Sequence, residues 1–481
     1  MFKKLFKQTF IYGVATVLPR ILNYLLVRLH TRYLPTESYG EVSNVFAYFV
    51  VFNVILSYGM ETAFFRFFHK EEDQEEVINT SAWSLIGSSL FFLILGLLFQ
   101  HQLAYIADIS VEVVRLGIGI LVLDALVVIP FAWLRAKEKP IKYAFLKIIN
   151  VMINVGLNIF FLAYLKDWSV NSTFLQKIYL PDFQIEYIFI ANFIASLFTL
   201  FLLMDFYLKL KFKFNTQLWK RIMRYAFPVL IAGLAYAINE ASDRIMMKYL
   251  LPKDIAKSEL GIYAACYKLS IFMTLFSTAF RLGIEPFFFS HAENKNAKKT
   301  YADITKYFTI FGSFILVMVM VFSDLLKKLL ISDEAYWEAM DIVPIILLAN
   351  LFLGIYYNLS VWYKVTDKTK FGGFISMIAA TITIVANFLL IPSIGYIGAA
   401  ISTLAAYGSM MFLSFYWGQK YYPIPYHTKK ILAYLFLAVA FSMISFYGFR
   451  ENYFVGISLL IIFMGIIYLG EKEELQRIIK T

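Results

Sequence analysis

Charged residues recur in this chain inside runs that are otherwise apolar. Arg20 and Arg28 stand near the start and Glu61 and Asp124 follow; then come Glu240, Asp243 and Arg244, and finally Lys268, Arg281 and Glu285. A charge near the centre of a bilayer is costly, so it persists only when it is paired, hydrated or used. Guanidinium grips phosphate oxygens bidentately. Arg28 and Arg244, which an internal repeat of the chain pairs, are therefore candidates for holding an anionic head group. A carboxylate in the same setting can take up a proton or hold a sodium ion. Glu61, Asp124, Glu240, Asp243 and Glu285 are the candidate ion-coupling groups.

Spacing suggests local partners for some of these. Glu240, Asp243 and Arg244 stand at i, i+3 and i+4, which places them on one helix face. Glu240 is expected to pair with Arg244, Asp243 with Lys248 near the end of the same helix, and Arg281 with Glu285 one turn on. Glu61 has only Arg66 five residues further, poorly placed, and is expected to be the less satisfied carboxylate; snorkelling at the interface is its structural alternative. Asn150, Asn154 and Asn158 recur every fourth residue, and Asn387 holds a matching place later. Asparagines so spaced are expected to bond helix to helix. Enzyme machinery is not recognisable: the sequence has no phosphate-cradling glycine loop with a lysine, no paired Cys or His at metal spacing and no serine elbow. The expectation is a protein that is not an enzyme, without cofactor or metal, driven by a gradient of Na+ or H+ or by the downhill movement of its substrate.

The elements that carry these residues follow from composition. Of 481 residues 60% are hydrophobic and 16% charged, and the mean hydropathy is +0.67. That excludes a water-soluble domain. The apolar runs are too long for alternating β-barrel strands. At about 20 residues per crossing, the expected fold is an all-α polytopic membrane protein of about fourteen helices, near 9–31, 40–66, 79–100, 112–134, 141–165, 186–208, 222–250, 258–289, 302–326, 338–363, 371–391, 394–418, 428–449 and 452–470.

The chain also repeats itself. "NYLLVRLHTRYLP" at 23–35 returns as "NEASDRIMMKYLLP" at 239–252, pairing Asn23 with Asn239, Arg28 with Arg244 and Arg32 with Lys248. "GMETAFFRFFH" at 59–69 returns as "GIEPFFFSH" at 283–291, pairing Glu61 with Glu285, and "WLRAKEK" at 133–139 returns as "WYKVTDK" at 362–368. The repeats are an even number of crossings apart, so they are parallel repeats. The expected organisation is an N-lobe of helices one to six (1–210), a C-lobe of helices seven to twelve (211–420), and two additional helices with a tail (421–481). The equivalent Arg28 and Arg244 would then face each other across the cleft.

Lysine and arginine set the orientation. With the N-terminus inside, roughly 28 basic residues fall on the inner side against roughly 8 outside. Both termini are therefore expected in the cytoplasm. The net charge of +11 is a topology signal, and nucleic acid is not an expected partner. Lys3, Lys4 and Lys7 resemble the start of a signal peptide, but the run contains Pro19 and Arg20 and offers no small-residue cleavage site, so it is expected to be retained as the first helix. Cys266 is the single cysteine and precludes an internal disulfide. The acidic stretch "HKEEDQEE" at 69–76 is expected to be a solvated loop without a specific role. Pro19, Pro130, Pro228 and Pro286 are expected to bend their helices, or in the last case to end one.

The opening "LFKQTFIYGVATVLPRILNYLLVRLHTRYLPTESYGEVS" at 5–43, "YGMETAFFRFF" at 58–68 and "ANFLLIPSIGYIGAAISTLAAY" at 386–407 together resemble the bacterial polysaccharide-export flippases. These are the Wzx-type, O-antigen branch of the polysaccharide biosynthesis (export) family, in the multidrug/oligosaccharidyl-lipid/polysaccharide (MOP) superfamily. The resemblance implies fourteen helices and two six-helix lobes around a cationic cavity in the bacterial cytoplasmic (inner) membrane. It implies movement of undecaprenyl-pyrophosphate-linked sugar units from the inner to the outer leaflet by alternating access. A polysaccharide polymerase and a chain-length regulator are candidate partners by the same resemblance. The cationic cavity maps onto Arg20, Arg28, Arg244 and Arg281, with Lys268 less securely. Three alternatives stay open: a lipid II flippase, a drug/cation antiporter like the MATE transporters, and a membrane-embedded polysaccharide polymerase.

Overall fold

A bilayer offers no partner to a free backbone N–H or C=O, so apolar runs of this length are driven into helices. The computed structural model describes residues 2–291, 294 and 296–480, and among these it holds helices and turns but no strand. The side chains of Lys3, Lys4, Lys7 and Pro286 lie outside the described ones.

The helices are α1 (Phe2–Tyr33), α2 (Thr36–Lys70), α3 (Gln74–Leu98), α4 (Val111–Ala136), α5 (Pro140–Ser169), α6 (Gln184–Leu202), α7 (Thr216–Leu250) and α8 (Lys253–Glu285, running on to Ser290). They continue as α9 (Ala297–Val321), α10 (Glu334–Val365), α11 and α12 (370–393 and 396–421), α13 (Thr428–Gly448) and α14 (Tyr453–Lys480). Twelve described stretches are long and apolar enough to cross a membrane. One of these, Lys370–Tyr421, is two helices: Ile394 and Gly395 leave helical geometry, and Gly395 has φ 59°, which glycine alone adopts without strain. With α1, itself 32 residues long, the described residues hold the fourteen long helices expected, besides short ones between them.

Tertiary contacts divide the chain into two compact units, 1–261 and 262–481, the boundary falling inside α8. In the first unit α1 and α6 pack on α5, α4 lies between α3 and α6, and α7 packs on α2. The expected asparagine bonds are present here. His30 Nε2 lies 2.9 Å from Asn158 Oδ1, tying α1 to α5, and Asn150 donates to Thr199 Oγ1 at 2.9 Å, tying α5 to α6. Asn158 in turn donates to Asn154 Oδ1 at 2.9 Å. At the junction of α2 and α8, Gly40 and Gly261 touch: a Cβ on Gly40 would stand 1.9 Å from the Lys257 carbonyl oxygen, and one on Gly261 1.9 Å from that of Thr36. The Thr36 and Ser258 hydroxyls share a hydrogen bond of 2.7 Å beside them.

Pro130 bends α4, and the bend has a partner. Proline cannot donate to the carbonyl four residues back, and the Tyr207 hydroxyl donates to that carbonyl, Leu126 O, at 2.5 Å. Pro286 does not end α8, which continues to Ser290. The acidic stretch at 69–76 has more to do than the sequence suggests. Glu71 pairs with Arg221 at 2.6 Å, Glu75 with Lys211 at 2.6 Å, and Glu76 accepts from Asn215 at 3.0 Å. Charge attraction across more than a hundred residues of chain makes this turn a dock for the segment that enters α7.

In the second unit α10 packs on α8, α9 and the α11–α12 corner, and α9 packs on α13 and α14. The last two helices are held by ions at both ends of α9. Lys306, fully buried, lies 2.8 Å from Glu471 and also pairs with Glu474; Lys430 at 3.0 Å and the Tyr434 hydroxyl at 2.8 Å complete the coordination of Glu471. At the other end Arg450 reaches Asp324 at 3.2 Å, and Lys328 reaches Glu451 at 3.0 Å. Buried ion pairs add little net stability but select one geometry. Asn387, expected to bond between helices, is fully buried with neither amide atom hydrogen-bonded among the described residues.

Candidate substrate-binding site

The first unit carries charge on both α1 and α7. Tyr24 on α1 lies in the field of Glu240, Arg244 and Arg20, and Tyr39 on α2 in that of Arg244 and Tyr24. Arg20 and Arg244, on different helices, thus share one tyrosine. Arg20 and Arg28 are exposed, Glu240 and Arg244 half-buried, and Asn239 and Asp243 buried. Guanidinium and phenol groups can both donate to phosphate oxygens, and the Glu240 carboxylate acts on the same tyrosine as the two arginines. The Asp243 carboxylate accepts from the Arg244 amide at 2.8 Å. Its expected neutralisation by Lys248 does not occur: Lys248 donates instead to the carbonyls of Ala107 and Asp108. The C-terminal end of the short helix Gln100–Ala107 offers carbonyl oxygens which the sequence cannot advertise.

The repeat fixes two further positions. Glu61 is not the unsatisfied carboxylate its own helix suggests, because Arg135 of α4 lies 2.5 Å away. Glu285 does not pair with Arg281, because Lys364 of α10 reaches it at 2.6 Å, and Arg281 lies over the Tyr357 ring at 4.6 Å. Both corrections have one cause. A residue across a helix–helix contact approached more closely than the neighbour one turn along. In each half the glutamate of the "GxE" segment pairs with the base of the "Wx[RK]" segment, and the two aligned histidines agree as well. His69 Nδ1 lies 2.8 Å from Phe65 O, and His291 Nδ1 3.2 Å from Phe287 O.

Asp124 accepts from Ser196 of α6 at 3.0 Å. Lys147 of α5, which sequence reading passed over, stands in the field of Asp124, Glu61 and Arg135, with its ammonium 4.3 Å from the Phe131 ring centre. Its signal was only a lysine in an apolar run. In the second unit Arg281, Glu285 and Lys364 border a closed cavity of about 10 Å³, into which the partnerless Ser277 hydroxyl and Asn358 Oδ1 face. That space suits about one water. Lys268 lies thirteen residues before Arg281 on α8, roughly 20 Å along a helix. The two do not form one group. No cluster of His, Cys, Asp and Glu suited to a metal occurs among the described residues.

The model of the family described as polysaccharide biosynthesis protein matches residues 5–274, more than half the chain. The chain belongs to the polysaccharide biosynthesis protein family. The matched segment holds Arg20, Arg28, Glu61, Asp124, Glu240, Asp243, Arg244 and Lys268 of this family member, and Arg281 and Glu285 fall in residues 228–389, which match the MatE model. A curated relative, Lsg locus putative protein 1 of Haemophilus influenzae, is 20% identical over 297 residues, covering 61% of this chain and 68% of its own. Among solved structures, lipid II flippase MurJ in an inward closed conformation superposes with a TM-score of 0.74 at 17% identity, over 96% of this chain and 99% of its own. An inward-facing multidrug resistance MATE family transporter of the MOP superfamily superposes at 0.65 and 12% identity, over 86% and 95%. This polysaccharide biosynthesis family member therefore has the all-α fold of the MOP transporters and is a multi-pass membrane protein.

Proposed function

We propose that this chain is a flippase that carries an undecaprenyl-pyrophosphate-linked oligosaccharide from the inner to the outer leaflet of a bacterial inner membrane by alternating access, with both termini in the cytoplasm. The observation that carries the reading is that Arg20 and Arg244, on two different apolar helices, both act electrostatically on Tyr24. Permanent positive charge there has a use if an anion passes, and a pyrophosphate is the doubly charged head that a lipid-linked sugar presents. Arg28, on the same helix and exposed, extends the cationic face, while Arg281 and Lys268 are further steps for the head group. Coupling to H+ or Na+ falls most naturally to Asp124, whose described hydrogen bond is to a neutral hydroxyl, whereas Glu61 and Glu285 are already in ion pairs. A polymerase and a chain-length regulator that take over the exported unit are the proposed partners.

The test is deletion followed by fractionation of lipid-linked sugars. Completed units should accumulate on the cytoplasmic leaflet, and wild-type chain but not Arg244→Ala should clear them. Clearance by Arg20→Ala, Arg28→Ala and Arg244→Ala alike would remove the assigned site. The MurJ likeness, which extends over nearly the whole chain, favours lipid II as the second cargo to try. Movement of lipid II but of no other lipid-linked sugar in vesicles would favour that reading.

A further inference from the structure

A second pocket, away from Arg20 and Arg244, opens where the 99–110 segment, whose Gln100–Ala107 is a short helix, meets the ends of α2, α7 and α8 in the first unit. It measures about 790 Å³ and is lined by Glu41, Asp108, Tyr105, Tyr249 and the lysines 248, 253 and 257. That is the size of a site for a small organic ligand. Its walls are fixed. Lys257 lies 2.9 Å from Asp108 and 3.3 Å from Glu41, Lys248 holds carbonyls of that segment, and the Tyr249 hydroxyl bonds to Tyr48 at 2.6 Å and to Ile106 O at 3.2 Å.

Among the described residues, Tyr105 and Lys253 on this wall are not so occupied, nor is the exposed His101. The Tyr105 side chain is 88% exposed, and Lys253 is exposed with no ion pair or hydrogen bond among the described residues. An open aromatic face beside fixed carboxylates and carbonyl oxygens suits a sugar, whose C–H face lies on the ring while its hydroxyls donate to the oxygens. Lys253 then offers a cation to an acidic substituent on that sugar. A phospholipid phosphate would use Lys253 but would leave the Tyr105 ring face and the carbonyl oxygens without the C–H face and the hydroxyl donors that a sugar brings.

We propose that this pocket binds a short acidic oligosaccharide. It lies on the side of the membrane where α1 turns into α2 and α7 into α8, which is the outer side in the orientation proposed above, so the ligand would be the glycan end of the cargo as it leaves. That assignment to cargo rests on the flippase reading; the binding itself does not.

The experiment uses full-length protein in detergent micelles and measures binding of trigalacturonic acid and of neutral maltotriose by titration calorimetry and saturation-transfer NMR. The acidic trisaccharide should bind more tightly than the neutral one. Lys253→Gln should weaken it by about tenfold, the loss of one charge-assisted bond, and Tyr105→Ala should remove the saturation transfer. Both residues are exposed, so gel filtration of the variants should match wild type. Equal affinity in wild type and both variants would overturn the proposal, as would loss of binding in nanodiscs containing phosphatidylglycerol, which would give the pocket to lipid. Protein that binds the trisaccharide but moves no lipid-linked sugar in vesicles refutes the flippase reading and leaves the pocket. Protein that moves lipid-linked sugar but ignores the trisaccharide does the reverse.

Discussion

Lys364 lies 2.6 Å from Glu285, and Arg135 lies 2.5 Å from Glu61, at positions that the internal repeat of the chain aligns. A duplicated sequence has thus kept the same carboxylate–cation contact in both halves, once with arginine and once with lysine. The pairs are one-quarter to one-half exposed, where such contacts contribute about 0.2–1 kcal/mol. Stability alone is a weak use for them. Glu61→Gln and Arg135→Gln are each expected to reduce clearance of lipid-linked sugar several-fold with little change in thermal stability. The exchange Glu61→Arg with Arg135→Glu should restore most of it. Additive losses in the exchange variant would show that the contact itself does not matter.

The Lys306 cluster should behave differently, because it is buried. Lys306→Met leaves Glu471, 1% exposed, with Lys430 and the Tyr434 hydroxyl as its partners, a loss smaller than the roughly 3–5 kcal/mol of a fully unpaired buried charge. Replacing Lys306, Glu471 and Glu474 together by Met, Leu and Leu should recover most of the stability. Thermal unfolding in detergent measures both, and a triple variant as unstable as the single would contradict the assignment.

Gly40 and Gly261 predict a steric result with its own controls. Gly40→Ala puts a methyl 1.9 Å from a backbone carbonyl oxygen, so α2 and α8 must move apart, while Gly87 and Gly156 have nothing within 4 Å of a built Cβ. Gly40→Ala and Gly261→Ala should lower the melting temperature or the folded yield on gel filtration; Gly87→Ala and Gly156→Ala should lower neither.

Tyr207 and Pro130 predict a non-additive pair. Tyr207→Phe strands the Leu126 carbonyl at a destabilisation of about 1–3 kcal/mol. Pro130→Ala supplies the missing N–H donor to that same carbonyl. The double variant should therefore be more stable than Tyr207→Phe alone, and a thermal double-mutant cycle reads the coupling.

Asp108 sets a pH dependence at the second pocket. The hydrogen bond from Lys257 holds its carboxyl below the usual aspartate range. A depressed carboxyl stabilises the folded segment fully above the unfolded value of about 3.9; that stabilisation fades as pH falls through the lower folded value. Hydrogen exchange of residues 99–110 should therefore stay constant from neutral pH to near 4 and accelerate, beyond its intrinsic pH dependence, only under stronger acid. Asp108→Asn should show the faster exchange already at neutral pH, and the difference from wild type should vanish in strong acid.

Much of this protein follows from its sequence alone. Apolar runs with no water to satisfy their backbone become helices, which is why fourteen spans were legible although their ends shifted by several residues. The asparagines on α5 were legible too, since an amide in oil must find another polar group and a four-residue spacing aims all three along one face. The repeat marked Glu61 and Glu285 as equivalent before any contact was known.

Partner choice was decided only by tertiary structure. Glu61 went to Arg135, 74 residues away, rather than to Arg66, and Lys248 went to the carbonyls at 107 and 108 rather than to Asp243. Spacing along a helix reports only neighbours one turn apart, while a charge takes whichever partner the packing of another helix brings within 3 Å or so. The same holds for Lys147, for the Tyr207 hydroxyl at the Pro130 bend and for the pocket around Lys253: each is made of residues far apart in the chain, and only the fold brings them together.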